Sequence, residues 1–271
     1  MNEEVKFIDS SGERLFVIEH LPEDPAPASA FVFVHPFAEE KLWSHRVYVT
    51  TARALCERGY LVIRFDFRGH GDSDGDFLDS SLEQHYLDIE AAIAHIKKSF
   101  PSVERLGLFG LRLGATLAAH VASRRDDIDA LVLWDPILSG ERYMQEILRS
   151  NLAAQMAVKG KVEVTREDLI AQMKSGIPIN VEGYYLTYPY FQDLSSLDMT
   201  NLEFDESTSC CIIQIVKNIK QPINKQYQEF FARFGEKSLL DKAPEEPFWK
   251  EIKTFYDRAD NLLEHTLNWL D

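Results

Sequence analysis

The chain has 271 residues, 45% of them hydrophobic, and a formal net charge of −15. That length and apolar content suit one large α/β domain with room for an inserted segment, and argue against wholesale disorder. The acidity excludes nucleic acid as the expected partner, because phosphate backbones need clustered Lys and Arg, and reads most simply as a source of solubility.

Cys56, Cys210 and Cys211 are an odd number with an adjacent pair. They do not make a disulfide framework and fit a reduced, cytoplasmic chain. The start "MNEEVKFIDS" is acidic and lacks the basic-then-apolar order of a secretion signal. No apolar run reaches the ~18 residues of a membrane span.

In chain order, "VKFI" and "RLFVIEH" predict two short strands split by a turn at residues 10–12. A proline-rich connector, residues 22–30, leads into "FVFVHP", a continuous apolar run expected of a strand buried on both faces. Ser44 is the expected cap of a helix that Gly59 stops. Then come a strand over residues 60–67, a loop rich in Gly and Asp, and a helix over residues 82–99. "RLGLFG" predicts a strand, "LGATLAAHVASRR" a helix and "ALVLWDP" a strand. This alternation predicts a mostly parallel central sheet with right-handed crossovers and helices on both faces. Ligands would then bind at the carboxyl ends of the strands, at His35-Pro36, residues 66–68, residues 110–112 and Asp135-Pro136.

The alternation stops after Asp135. Residues 139–207 read as helices plus the aromatic stretch "VEGYYLTYPYF". Strand character returns with "CCIIQIV", followed by a helix near residues 225–234, a strand near 237–242 and a last helix in "NLLEHTLNWL". The expected organisation is a core of residues 1–138 and 208–271, with residues 139–207 as a cap over the strand ends.

Three features in order resemble the α/β-hydrolase superfamily: "FVFVHPF" at the oxyanion-hole loop, "FDFRGHGDSDG" as the D-x-R-G-x-G-x-S loop, and "GLRLG" at the G-x-S-x-G turn between strand and helix. A narrower resemblance, to the second type of exosortase-associated hydrolases, is carried by "HPFAEEKLWSHR", "LFGLRLGA", "LVLWDPILSGERYMQEILR", "VEGYYL" and "PFW". It implies an α/β-hydrolase fold and a bacterial source, and little about substrate.

A serine triad needs an alcohol on the turn, a histidine to take its proton and a carboxylate to orient that histidine. The turn offers Arg112 instead, whose guanidinium stays protonated at any working pH. The resemblance places the acid after "CCIIQIV", where "KNIKQP" has no carboxylate, and the histidine after the last strand, where "APEEPFW" has no His. The sole histidine beyond His120 is His265, in the final helix. Ser44, Ser73, Cys210 and Cys211 read as structural rather than as replacement nucleophiles. His35, His45 and His70 lack metal-ligand spacing, so neither metal nor cofactor is expected.

A desolvated arginine needs partners. Glu39, Glu40 and Asp135 are the candidates, and one or two of them should pair with Arg112. The expected pocket is lined by Arg112, Leu111, Leu113, Phe37, His35, Glu39, Glu40 and Asp135. The pairing is either purely structural or leaves Arg112 facing a ligand anion. Tyr184, Tyr185, Tyr188, Tyr190 and Phe191 either line that pocket or pack the cap onto the sheet. Two functions stay open. One is a degenerate hydrolase that binds a small ligand, or a protein through its cap, without turnover. The other is a hydrolase with a rearranged site for an ester, thioester or amide of envelope or polysaccharide metabolism.

Overall fold

The computed structural model describes residues 1–159, 164–250 and 256–271, without the side chains of 154–159. Strands β1 (Asn2–Ser10) and β2 (Glu13–Leu21) form an antiparallel hairpin, and β2 pairs antiparallel with β4 (Leu61–Phe65). From there the sheet is parallel: β4, β3 (Ser29–Val34), β5 (Arg105–Leu111) and β6 (Ala130–Trp134). It continues through β9 (Ser209–Val216) to the edge strand β10 (Leu239–Pro244). Every residue of β3 is buried, as expected of a strand covered on both faces.

Helices α2 (Leu82–Ser99) and α3 (Leu113–Ala122) cover one face, and α1 (Glu39–Glu57) and α8 (Asp260–Leu270) the other. Ser81 caps α2 by accepting from the Gln84 N–H at 3.3 Å. The expected cap of α1 is a correction. The helix starts at Glu39, and Ser44 lies inside it, its hydroxyl donating to the Glu40 carbonyl at 2.6 Å. Ala38 precedes the helix at φ 46° and ψ −124° and makes no side-chain cap, so the usual Ser, Thr, Asp or Asn signal is missing.

The loop "RFDFRGHGDSDG" is fixed from within. Arg68 Nη2 lies 2.7 Å from Asp88 Oδ1, the Arg68 N–H donates to Asp88 Oδ2 at 2.9 Å, and the Ser10 hydroxyl donates to Asp88 Oδ1 at 2.8 Å. Ser73 donates to the Asp66 carbonyl at 2.6 Å and accepts from the Phe16 N–H at 2.8 Å. Those roles account for the motif's arginine and serine without any catalytic task.

Between β6 and β9 the chain forms α4 (Gly140–Lys159), α5 (Arg166–Lys174), a small hairpin of β7 (Ile179–Val181) and β8 (Tyr184–Leu186), and α6 (Tyr188–Ser195). Its aromatics dock on the core. Tyr190 meets His85 Nε2 at 2.5 Å through its hydroxyl, and Tyr184 packs on Phe77 at 4.9 Å between ring centroids. Helix α7 (Lys225–Phe231) links β9 to β10. The three cysteines are free and buried, and no helix among the described residues is long and apolar enough to cross a membrane.

Candidate functional site

Strand order dictates where a site forms. From β3 the chain steps to β4 on one side, then returns to place β5 on the other. The carboxyl ends of β3 and β5 therefore border the point where the winding direction reverses, the usual ligand crevice of open α/β sheets. Three residues just beyond neighbouring strands have left-handed φ: Ala38 after β3 (46°), Arg112 after β5 (54°) and Asp135 after β6 (44°). Such backbone costs about 1–3 kcal/mol per residue and persists where the surroundings impose it.

The Arg112 turn is imposed by close packing. A Cβ on Gly110 would sit 2.4 Å from the Ala115 nitrogen, and one on Gly114 2.2 Å from the Val34 carbonyl oxygen. Only glycine fits on either side, so the strand folds sharply into α3 and lifts residue 112 into the crevice. Thr116 ties this turn to the next strand end, accepting from the Ile137 N–H at 3.0 Å.

The Arg112 guanidinium is buried and enclosed. Its Nε lies 3.5 Å from Glu40 Oε1, its Nη1 3.3 Å from Asp135 Oδ2 and its Nη2 3.4 Å from Glu146 Oε2. The rings of Tyr143 and Trp249 stand 5.4 and 5.3 Å from its central carbon, within cation–π range. Each carboxylate has a further partner. Tyr143 donates its hydroxyl to Glu40 at 2.9 Å, the Tyr227 hydroxyl lies 3.2 Å from Asp135, and Lys250 Nζ lies 2.6 Å from Glu146.

Burial opposes the charge on Arg112, but Glu40, Asp135 and Glu146 outweigh it and raise its pKa, so it stays a cation. Burial also dominates at Glu40 and Asp135 and pushes both carboxyls above their ordinary range despite the arginine. Glu146, less buried and held by Lys250 and Arg112, moves the other way, because those partners outweigh its desolvation. Three carboxyl groups thus share two cations, and all three contacts to Arg112 are longer than the 2.7–2.9 Å usual for a charge-assisted bond. The site is saturated with acid and has no deficit of negative charge.

Of the expected residues, Arg112, Glu40 and Asp135 are brought together. Glu39 is the candidate left out, within the expectation of one or two partners: its side chain makes no ion pair among the described residues, and burial with Glu182 nearby raises its pKa. Phe37 packs between Tyr143 and Tyr190 at 6.4 and 6.1 Å between centroids. His35 is committed through Nδ1 to the Pro36 carbonyl at 2.8 Å and through Nε2 to the Phe67 N–H at 3.3 Å. Leu113 lies in the core cluster on the α3 side of the sheet and Leu111 in the one on the α1 side.

Sequence reading missed Tyr143, Glu146, Tyr227, Trp249 and Lys250. A signal existed for two of them, since Tyr143 and Glu146 stand three apart on α4 and so share a face.

Strand β9 is followed by residues 217–222 with no carboxylate, and no histidine lies between His120 and His265. His265 sits on α8, its Nδ1 2.8 Å from Asp241 on the edge strand β10. Burial raises the thiol pKa of Cys210 and Cys211, the opposite of an activated nucleophile. Among the described residues no group of three or more His, Cys, Asp or Glu is arranged to hold a metal ion.

A pocket of about 250 Å³ adjoins the network, walled by Tyr143, Glu146 and Tyr227 together with Arg142, Arg149 and Asn224.

Comparison with known proteins agrees with this architecture. The solved structure of Est1E from Butyrivibrio proteoclasticus with ferulic acid bound is similar at a TM-score of 0.69 and 19% identity, over 98% of this chain and 99% of that one. GrgF from Penicillium sp. sh18, an alpha/beta hydrolase, gives 0.64 and 17% over 100% and 98%. At such identities the likeness speaks to fold alone.

Among curated proteins, an uncharacterized protein of Rickettsia prowazekii (strain Madrid E) is 28% identical over 111 residues, 41% of this chain and 45% of its own length. The alpha/beta hydrolase domain-containing protein aho-3 of Caenorhabditis elegans is 37% identical over 82 residues, 30% of this chain and 24% of its own. The chain thus spans less than half the length of these relatives. The family model described as serine aminopeptidase, S33 matches residues 25–182, more than half of the chain. The chain belongs to that serine aminopeptidase S33 family, within the α/β-hydrolase superfamily.

Proposed function

We propose that this chain is a hydrolase-fold protein without acyl-transfer chemistry, in which the catalytic turn serves as an ion-pair junction and the neighbouring pocket binds a small polar ligand. The observation that carries this reading is the side chain at the centre of the turn. Arg112 stands where the G-x-S-x-G pattern has its serine, and its guanidinium is shared by Glu40, Asp135 and Glu146. A guanidinium offers no nucleophilic lone pair, no histidine is among the described hydrogen-bond, ion-pair or ring partners of Arg112, and His35 on the neighbouring strand end is committed through both ring nitrogens.

The acid already around Arg112 argues against a ligand anion on that residue. The cations that remain for a ligand are Arg142 and Arg149 in the pocket wall, and Tyr143, Glu146 and Tyr227 would couple its occupancy to the junction. Residues 139–207 act in this reading as the cap. The narrower likeness to exosortase-associated hydrolases supports a specialised family with this junction. Its segments "HPFAEEKLWSHR", "LFGLRLGA", "LVLWDPILSGERYMQEILR" and "PFW" are the ones that supply Glu40, Arg112, Asp135, Tyr143, Glu146 and Trp249.

The rival reading, a rearranged hydrolase of an ester, thioester or amide in envelope metabolism, draws on the strained turn that persists at Arg112. A fluorophosphonate probe and a panel of short-chain esters and thioesters separate the two. The expected result is no labelling and no turnover above buffer, in the native protein and in Arg112→Ser alike, because a restored alcohol would still lack its base. Turnover by the native protein that Arg112→Ala abolishes would overturn the reading.

A further inference from the structure

A second cavity, of about 320 Å³, lies between α1 and the strands β2 and β4, away from the Arg112 junction. Phe16, Ile18, Phe33 and Leu42 give it apolar walls, and Arg64 and His45 stand among its polar ones. Arg64, half-buried on β4, is poorly partnered. Its Nε donates to His20 Nε2 at 2.9 Å, and its two terminal nitrogens hold no hydrogen bond or ion pair among the described residues.

The carboxylates that could serve it are already taken. Glu3 is gripped by Arg53, through Nε at 2.7 Å and Nη2 at 3.1 Å. Asp66 is held by Lys41 at 2.6 Å and accepts from the Asp72 N–H at 3.1 Å. The neighbouring histidines add no charge near neutral pH: burial, with Arg64 nearby, draws His20 down to about 4 and lowers His45 as well. Three cations therefore face two committed carboxylates, and Arg64 is the surplus. Its desolvation is visible in a guanidinium drawn down to about 10. A half-buried cation with a free planar fork at the edge of an apolar cavity is an arrangement suited to a carboxylate.

We propose that this groove is a binding site for a small amphipathic monocarboxylate, with its carboxylate on Arg64 and its alkyl or arylalkyl body along Phe16, Ile18 and Phe33. One surplus cation matches one negative charge. Asp66 and the exposed Asp72 at the groove's end would repel a dianion such as a phosphate monoester. The site is independent of the proposed function, since none of the described hydrogen-bond, ion-pair or ring partners of Arg112 is among its walls.

Titration calorimetry with octanoate and 3-phenylpropionate on the full chain tests it, with octanamide and inorganic phosphate as comparison ligands. Saturable one-to-one binding is expected for both carboxylates, at least tenfold weaker for octanamide and for phosphate. Arg64→Gln should weaken octanoate at least tenfold, and Arg64→Lys less. Ile18→Trp, which fills the groove and leaves every charge in place, should also weaken octanoate, which covers the case of a misfolded Arg64→Gln. Arg112→Met should leave octanoate binding unchanged. Absence of saturable binding, equal affinity for octanamide or phosphate, affinity unaffected by Arg64→Gln and Ile18→Trp, or loss of binding in Arg112→Met would each overturn the proposal.

Discussion

Arg68 and Arg112 are both buried, both close a strand-end loop, and are solved by opposite designs. Arg68 meets one carboxylate, Asp88, at 2.7 and 3.0 Å, with Ser10 beside it. Arg112 meets three, all between 3.3 and 3.5 Å, and two aromatic faces. The first pair is stoichiometric and short, so each charge has the other as its one ionic partner among the described residues. The second is loose and has acid in excess, so no single contact is essential. The difference shows what each site is built to do. A one-to-one pair fixes a loop, whereas a cation shared among α1, the β6 end and α4 joins three parts of the chain at once.

The comparison is broken most severely at Asp88. Asp88→Ala strands Arg68 as a buried cation, and arginine cannot discharge itself by losing a proton. A loss of about 3–5 kcal/mol is expected in urea unfolding, close to what a small domain has to spare. A loss below about 1 kcal/mol would mean that water reaches Arg68 and that the two sites do not differ in kind.

Removing the cation from the other site should do less damage. Arg112→Met leaves three carboxyl groups, of which Glu40 and Asp135 already sit above their ordinary range. They can take up protons, which arginine could not release. The expected loss is about 2–3 kcal/mol near neutral pH, short of the full penalty of a stranded charge. Its pH dependence follows from the sign of the shift. A carboxyl whose folded pKa is raised contributes stability below its unfolded pKa and loses it as pH rises through the folded one. Without Arg112 the two pKa values rise further, so the deficit against the native protein should be small near pH 4 and widen towards neutrality, within the ordinary-to-raised carboxylate window. Melting temperatures across that range check it; a deficit independent of pH would mean that Arg112 contributes packing against Tyr143 and Trp249 and little charge.

These two arginines also mark how far the sequence could be read. The alternation of apolar runs and helical periods placed the strands and α2, because both signals are local. The Gly110–Gly114 turn was legible for the same reason, since glycine requirements are set by backbone contacts a few residues away. The start of α1 was not, because Ala38 enters the helix through a strained backbone imposed by the crevice, with no capping side chain. At the junction, Glu40 and Asp135 were legible from their positions beside strand ends. Tyr143 and Glu146 carried a weak local signal in their shared face of α4, whereas Tyr227 and Trp249 come from segments whose approach to Arg112 is fixed by tertiary packing, which no local pattern encodes. Which of Glu39 and Glu40 would pair was left open, and helix geometry decides it. Adjacent residues on a helix point about 100° apart, so Glu40 facing the crevice turns Glu39 away from it.

The mildest change separates the two designs most finely. Glu40→Gln keeps shape and an acceptor for the Tyr143 hydroxyl but removes one of three negative charges, and should alter stability at neutral pH by no more than about 1 kcal/mol. The direction in pH is the sharper reading. Burial holds Glu40 above its ordinary pKa, so its favourable contribution is complete below the ordinary glutamate range and is lost as pH rises through the raised value. Glutamine does not titrate. The variant should therefore gain on the native protein as pH rises through that window, then level off once the native Glu40 is ionised. Melting curves of both proteins from about pH 4 to pH 8 decide it. Were the native protein instead to gain on Glu40→Gln with rising pH, Arg112 would be stabilising the Glu40 carboxylate by more than burial costs it. The junction would then be a tight pair of the Arg68–Asp88 kind, and the contrast between the two buried arginines would fail.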